Sequence, residues 1–390
     1  MTLILHVTPS YKPAYVYGGP TFSISRLCEE LQKARTSLQI KVLATTANGT
    51  GELDVSTTGI TNISGVDVAF FKRITGDHTH LSPALLKELI CTIKSSRQNE
   101  QQLIIHIHSW WNAVAILAVA IGRFYRVPLV LSPRGTLTRY SLSNRHAFLK
   151  HCTYYLLTKP LLSQCHLHAT TMGEHEEIED MDINYRKVHT IPNLPTFHTK
   201  TVVDARLQVS DGFRMIFLSR VEQKKGLEIL FEALTLVKVK WQLNIVGGGD
   251  QSYINQLVKR SIQLKIANHI TWHESIYRDE KFRFLQRHDA LILTSHTENF
   301  ANVVLESLSV GTAVIISEKV GLAEYVQKNN FGWVTPLSAG DIAATITNAA
   351  EDIEKRWHIR GAAPTKVRDQ FNEERIVADY VKMYLSILKK

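Results

Sequence analysis

Two glutamates separated by seven residues, Glu298 and Glu306, stand in the segment LTSHTENFANVVLESLSVGTAVIIS (293–317). A carboxylate can accept hydrogen bonds from two neighbouring hydroxyls, the arrangement found on a ribose or a sugar ring. The pattern reads as a strand, a polar loop carrying Glu298, and an apolar helix that starts near Asn302 and contains Glu306. The free amides at the start of that helix, Phe300 to Val303, together with its dipole, can hold phosphate oxygens. Glu306 lies among Val303, Val304, Leu305, Leu308 and Val310. Facing the core it needs a partner, and facing solvent it needs none. Spacing leaves both open.

Cations and glycines occur at other strand ends. Arg220 and Lys225 follow the apolar run RMIFLS (214–219) on one loop, and two cations there suit a diphosphate. A solvated basic turn is the alternative. IVGGGD places Gly247 at the end of another strand, but it lacks the GxGxxG spacing and the acidic residue of a dinucleotide site. Tyr17-Gly18-Gly19-Pro20 follows the first strand, where glycines let a ligand approach the backbone and a helix start favours an anion. A tight turn would look the same. His108 ends the run LIIHIH, as a structural or a functional imidazole, and Pro133-Arg134-Gly135 adds a basic loop at the same edge. Asp180-Met181-Asp182 follows EHEEIE and reads as a solvated helix face, so no residue is assigned to a metal and no cofactor is expected.

These residues need a scaffold that brings strand ends together. A chain of 390 residues is too long for one core and suits two domains. With 44% hydrophobic and 21% charged residues it is neither disordered nor fibrous. Nearly continuous apolar runs at 3–8, 38–45, 66–71, 103–108, 128–132, 166–170 and 188–191 alternate with amphipathic stretches. That pattern predicts parallel strands covered on both faces, hence doubly wound α/β sheets. Two prolines and a polar run break it at 191–204, and it restarts with 214–219, 241–246, 289–294 and 313–317. We therefore expect Rossmann-like domains over 1–195 and 196–365, with residues 366–390 packing back on the first. Ligands bind beyond the carboxyl ends of such strands.

The charge is +9, which favours an anionic partner. Between Glu100 and Glu174, 73 residues contain no acid but include Arg123, Arg126, Arg134, Arg139, Arg145, Lys150 and Lys159. These cations either solvate helix faces or meet an anionic surface. The stretch 134–162 joins them to tyrosines and an apolar face (Phe148, Leu149, Cys152, Leu156), which suits an anionic bilayer. No apolar run reaches the roughly 20 residues of a membrane span, no signal peptide is visible, and the four cysteines show no CxxC spacing. A cytoplasmic protein, at most peripheral on the inner face of the membrane, is the expectation. Nothing resembles a nucleic-acid motif.

Glu298 and Glu306 in ENFANVVLESLSVGTAVI resemble the E-x7-E motif of retaining glycosyltransferases of family 4. Ser219-Arg220 with Lys225-Gly226, IVGGGD, YGGP and IPN (191–193) are similar to that family's other landmarks in the same order, over about residues 3 to 345. The resemblance implies a GT-B fold, two Rossmann-like domains facing a central cleft, with the acceptor mainly on the first and a nucleoside-diphosphate sugar on the second. It implies that Arg220 and Lys225 hold the diphosphate, with Gly18, Gly19 and Gly247 near the donor. Glu298 and the amides of Asn299, Phe300, Ala301, Asn302 and Val303 would face the sugar and phosphate, Glu306 the ribose, and Ile276 the base. His108 would meet the donor sugar or reacting centre, while Arg134 and Arg139 would serve the acceptor. Two departures stand out. Asn299-Phe300-Ala301-Asn302 replaces Gly-Phe-Gly, narrowing the room beside the sugar, and Asp250 replaces a common proline.

The expected function is metal-independent, retaining transfer of a sugar to a growing, lipid-linked glycan in capsule, exopolysaccharide or O-antigen assembly. A GT-B epimerase or phosphorylase-like enzyme and a basic, non-enzymatic binding protein are the alternatives. The sugar, base, acceptor and linkage are not legible.

Overall fold

The computed structural model describes residues 1–34, 37–138, 141, 153–198, 212–276 and 278–389. Two compact units emerge, one from Met1–Leu194 with Glu373–Lys390, the other from Pro195–Asn372.

The first unit is an eight-stranded sheet. Its strands are β1 (Thr2–Thr8), β2 (Leu38–Thr45), β5 (Thr61–Ile63), β6 (Val66–Phe71), β7 (Leu103–His108), β8 (Leu129–Ser132), β9 (Cys165–Ala169) and β10 (Lys187–Thr190), while β3 (Ala47–Asn48) and β4 (Gly51–Glu52) form a separate small hairpin. The order is β10-β9-β8-β7-β1-β2-β6-β5. Only β5 runs antiparallel in this sheet. All residues of β1 and β7 are buried, as strands covered on both faces require. Strand order reverses between β1 and β7, so the crevice past their carboxyl ends is the place for a ligand.

The second unit is a six-stranded parallel sheet, β11 (Phe213–Leu218), β12 (Trp241–Val246), β13 (Ile270–His273), β14 (Ala290–Leu293), β15 (Ala313–Ser317) and β16 (Gly332–Thr335). Its order, β13-β12-β11-β14-β15-β16, is the Rossmann arrangement, with the switch point between β11 and β14. The helix Leu227–Leu234 buries Leu227, Leu230, Phe231, Ala233 and Leu234 on one face, as its apolar spacing dictates.

The C-terminal segment of the first unit is shorter than expected from sequence. Residues 366–370 complete the helix Ile353–Gln370, whose Ile359, Ala363 and Val367 are buried within the second unit. Chain from Glu373 onward belongs to the first unit, where the helix Glu373–Leu388 buries Ile376, Val377, Tyr380, Met383, Tyr384 and Ile387. Among the described residues no helix is long and apolar enough to cross a membrane.

Candidate functional site

In the second unit the loops after β11, β12 and β14 meet backbone to backbone. Gly226, at φ +67°, closes a short turn over Gln223–Lys225, and a Cβ there would stand 2.1 Å from the Thr294 carbonyl oxygen. Thr294 Oγ1 donates to the Gly226 carbonyl at 3.0 Å, and the His296 amide donates to the Lys224 carbonyl at 2.8 Å. Gly247, at φ +144°, packs as closely, since its Cβ would lie 2.0 Å from the Ser219 carbonyl. These approaches carry Lys225, at the end of the β11 loop, to Glu298 beyond β14, where the two side chains form an ion pair.

Glu298 is itself held by backbone. Its amide donates to the Lys319 carbonyl at 3.1 Å and its carbonyl accepts from the Gly321 amide at 2.8 Å. Burial would raise the Glu298 carboxyl, but Lys225, Lys224 and Arg220 together outweigh it and hold the group below its ordinary value. Burial lowers the Lys225 ammonium, and Glu298 opposes that shift. Arg220 stands on the same loop, more exposed, paired with Glu222 at 2.6 Å. The pocket thus carries excess positive charge at the switch point, which is what a diphosphate requires.

The helix Asn302–Ser309 starts beside this pair. Ala301 precedes it in the left-handed region (φ +62°, ψ +69°), and no side chain caps its first turn. Its leading amides are therefore free for an anion in the way the sequence suggested. Phe300 is buried edge-on against Phe371, fixing the loop, and Asn302 Oδ1 is buried with no hydrogen-bond partner among the described residues. Asn299 and Val303 are half-buried in the same loop and first turn. Glu306 is buried rather than solvent-facing, and its partner is Lys281 at 2.6 Å, on the helix Arg278–Gln286. Asp250, in place of a proline, caps the helix Gln251–Gln263 by accepting from the Tyr253 amide at 3.0 Å. Ile276 follows β13 at the sheet's edge, three strand positions from β14, so of the donor candidates it lies farthest from Glu298 along the sheet.

The first unit has its own cluster at the β1/β7 switch point. His106 and His108 are two apart on β7 and so share a face, and His6 sits opposite His106 in register. His6 Nδ1 and His108 Nε2 are 2.9 Å apart, while Arg134 Nε lies 3.4 Å from His108 Nδ1. A guanidinium only donates, so His108 accepts at Nδ1 and gives its Nε2 proton to His6. His106 bonds Tyr384 OH and Ser132 Oγ, each at 2.7 Å, and Ser132 Oγ continues to His168 Nδ1 at 2.7 Å. His168 Nε2 then meets Tyr380 OH at 3.1 Å. Burial, reinforced by Arg134, drives His6 and His168 down to about 3, and burial holds His106 and His108 well below the ordinary value too.

This corrects the expectation for His108. Its ring is 0% exposed and both nitrogens are occupied within the unit, so it orients Arg134 and does not present an edge to a ligand. Ring nitrogens of His6, His106 and His108 lie within 4.8 Å of one another, a spacing a metal could use. Arg134 against His108 makes a divalent ion there electrostatically costly. Arg134, at φ +54°, also donates to Ser23 Oγ at 2.9 Å and Asn193 Oδ1 at 3.1 Å, placing its guanidinium beside the start of the helix Gly19–Lys33. Gly18 precedes that helix at φ +62°, ψ −129°, and Gly19 faces open space, with nothing within 4 Å of a Cβ. Arg139 lies outside the described residues, as do Phe148, Leu149 and Cys152. Sequence reading missed His6, His168, Tyr380, Tyr384 and Lys281. The strings HIH (106–108) and HLH (166–168) in apolar strands were the available signal for the histidines.

Residues 18–194 match the family Glycosyl transferase 4-like domain, and residues 202–366 match Glycosyl transferases group 1. The chain is 27% identical over 214 residues to N,N'-diacetylbacillosaminyl-diphospho-undecaprenol alpha-1,3-N-acetylgalactosaminyltransferase of Campylobacter jejuni, a match spanning 54% of each chain, about half the length of that enzyme. It is 24% identical over 356 residues to an uncharacterised glycosyltransferase of Methanocaldococcus jannaschii, covering 85% of this chain and 89% of that one. In shape it is similar to Anabaena HepE, solved in complex with UDP and glucose, with a TM-score of 0.74, 18% identity, and 99% and 100% of the two chains covered.

Proposed function

We propose that this chain, which belongs to the family 4 type of GT-B glycosyltransferases, moves a sugar from a nucleoside-diphosphate donor to a lipid-linked glycan with retention of anomeric configuration. The observation that carries the donor side is the gathering of Arg220, Lys224 and Lys225 against Glu298 at the β11/β14 switch point, beside an uncapped helix start. The diphosphate lies against those cations and the amides of Asn302–Ser309, with Glu298 accepting from hydroxyls of the sugar and Glu306 from those of the ribose.

In the transfer step, the bond from the anomeric carbon to the diphosphate oxygen breaks and its electron pair stays on that oxygen. The acceptor oxygen bonds to the same face of the anomeric carbon. Its proton passes to the departing phosphate oxygen, so no protein nucleophile is required. The chain's contribution is electrostatic, since Arg220, Lys225 and the helix amides stabilise the charge that grows on the leaving group. These fixed cations can do so without a metal. Arg134, at the end of β8 in the first unit, serves an anionic acceptor, and a diphosphate-linked lipid fits both it and the acid-free stretch around it. The name of the Campylobacter relative assigns such a diphospho-undecaprenol substrate to that enzyme. A lipid-borne acceptor places the enzyme against an anionic membrane face, in the assembly of a capsule, an exopolysaccharide or an O-antigen.

The test is thermal-shift binding of UDP, GDP, ADP and dTDP, with and without magnesium, on the wild type and on Lys225→Ala. At 100 times Kd one diphosphate should stabilise the fold by about 2.7 kcal/mol. A shift with one base, independent of magnesium and lost in Lys225→Ala, supports the donor site. No shift with any base removes the reading.

A further inference from the structure

We infer that the first unit carries a bilayer-seating surface on two adjoining segments, the helix Ala113–Phe124 and the turn-and-helix Thr153–Leu162. This rests on the reading of a lipid-borne acceptor and specifies which side chains meet the lipid.

The second segment runs alongside the first. Near its middle Thr158 Oγ1 accepts from Trp110 Nε1 at 3.1 Å, just ahead of the helix Ala113–Phe124. Beyond its end Ser163 Oγ accepts from Arg123 at 3.2 Å, and Arg123 also bonds the Pro160 carbonyl. Tyr154, Thr158 and Leu162, spaced by four, are buried and form the inner face. The residues between them point outward. Tyr155 is 61% exposed, Leu156 74% and Leu157 48%, and on the neighbouring helix Phe124 is 81% and Leu117 37% exposed. Residues 154–158 form a π turn, a wider coil seen mostly at functional sites.

Single exposed apolar residues need no explanation, but five large ones on two adjoining segments mark an interaction surface. The cations around them identify the occupant. Arg123 and Arg126 are exposed beside Phe124, and the Lys159 ammonium lies 5.2 Å over the Tyr155 ring. The nearest acid in contact is Asp182, which pairs with Lys159 at 2.7 Å, and no acid occurs in the chain between Glu100 and Glu174. Apolar and aromatic tips framed by arginine and lysine match the boundary between acyl chains and anionic headgroups. A protein partner would have to bring its own acids. The bilayer supplies them everywhere.

The experiment is flotation of the full chain with vesicles of phosphatidylcholine alone and of phosphatidylcholine mixed with phosphatidylglycerol. The wild type should float with the anionic vesicles and much less with the neutral ones. Phe124→Ser with Leu156→Ser should weaken binding by about tenfold or more, the size expected for withdrawing large apolar side chains from an apolar medium. Arg126→Gln should weaken binding to the anionic vesicles alone. A wild type that floats with neither vesicle, or a double variant that floats equally well, overturns the surface. A second measurement guards against misfolding of the double variant. Leu156→Trp should be quenched by brominated lipid in anionic vesicles, and an unquenched indole overturns the proposal as well. The nucleoside-diphosphate thermal shift, run on the same samples, reports the donor site separately, so loss of that shift with flotation intact counts against the transferase reading and not against the surface.

Discussion

Lys225 and Glu298 are 73 residues apart in the chain, on loops after different strands, and their side chains form an ion pair at the switch point of the second sheet. The pair gives the pocket two states. Without a ligand the ammonium is engaged by the carboxylate, and a bound diphosphate competes for it. Glu298→Gln should therefore bind a free nucleoside diphosphate no more weakly than wild type, and up to about tenfold more tightly, because a nearby negative charge is gone. Transfer should fall by about 100-fold or more, since the group facing the sugar is lost. Calorimetric Kd and single-turnover rates separate the two effects. Weaker diphosphate binding in Glu298→Gln would remove the competition.

The same pair makes a prediction for acid. The folded Glu298 carboxyl lies below its ordinary value because Lys225 and its neighbours outweigh burial. Its stabilisation is thus complete above the unfolded carboxylate range and is lost as pH falls through the folded value. In Lys225→Ala burial gains the upper hand, so the carboxyl should titrate at higher pH. A carbon-13 NMR titration of this carboxylate checks it. An unchanged titration would mean that Lys224 and Arg220 hold the charge alone.

Gly226→Ala should be far more damaging than an ordinary surface substitution. The backbone there is left-handed and the added methyl would stand 2.1 Å from the Thr294 carbonyl. The loss should be about 3 kcal/mol or more, the range of strained backbone combined with overpacking. Because this contact joins the β11 loop to the β14 loop, whatever folds should also lose diphosphate binding. Urea unfolding and the thermal shift read the two consequences. A variant within about 0.5 kcal/mol of wild type would show that the loops can separate freely.

The buried histidines predict acid sensitivity of the first unit. His6 and His168 sit at about 3 when folded, against 6.5 as the reference value. A depressed folded value means that the unfolded state takes up the proton first. Stability is complete above about pH 6.5 and falls steadily toward pH 3, by about 1.4 kcal/mol per pH unit for each such histidine. His168→Gln cannot titrate and should flatten that slope by about one proton. Tyr384→Phe should cost about 1–3 kcal/mol at neutral pH by leaving His106 Nδ1 buried without its hydroxyl partner. Urea unfolding at a series of pH values tests both.

Much of this was legible from residue types, for identifiable reasons. Apolar runs such as 3–8 and 103–108 are strands because both faces are covered, and no other element gives an unbroken apolar string of that length. Arg220, Lys225 and Glu298 could be singled out because each follows such a run. GWVT (332–335) is too short and too mild in character to announce β16, which is held by pairing with β15. The partner of Glu306 was invisible, since Lys281 lies on another helix and no spacing rule links them. His108 misled for the opposite reason. Its position at a strand end suits a ligand contact, but its burial depends on Arg134 and His6, which arrive from other strands.

Glu306 and Lys281 supply the last prediction. The pair is buried, with side-chain exposures of 10% and 18%, and the bond to Lys281 uses Oε1. Oε2 remains to accept from a ribose, and the ammonium keeps the carboxylate ionised for that task. A nucleotide lacking the 2′-hydroxyl should therefore bind the wild type about 10- to 100-fold more weakly, the size of one hydrogen bond to a charged group. Glu306→Gln should narrow that gap to about threefold or less by weakening the ribonucleotide, because a neutral amide oxygen is the poorer acceptor. Lys281→Ala should instead destabilise the fold by about 1–3 kcal/mol, because it strands a charge within an apolar helix. Parallel titrations with a ribonucleoside and a 2′-deoxyribonucleoside diphosphate of the same base decide it. Equal discrimination by wild type and Glu306→Gln would place the ribose elsewhere and leave the pair a purely structural one.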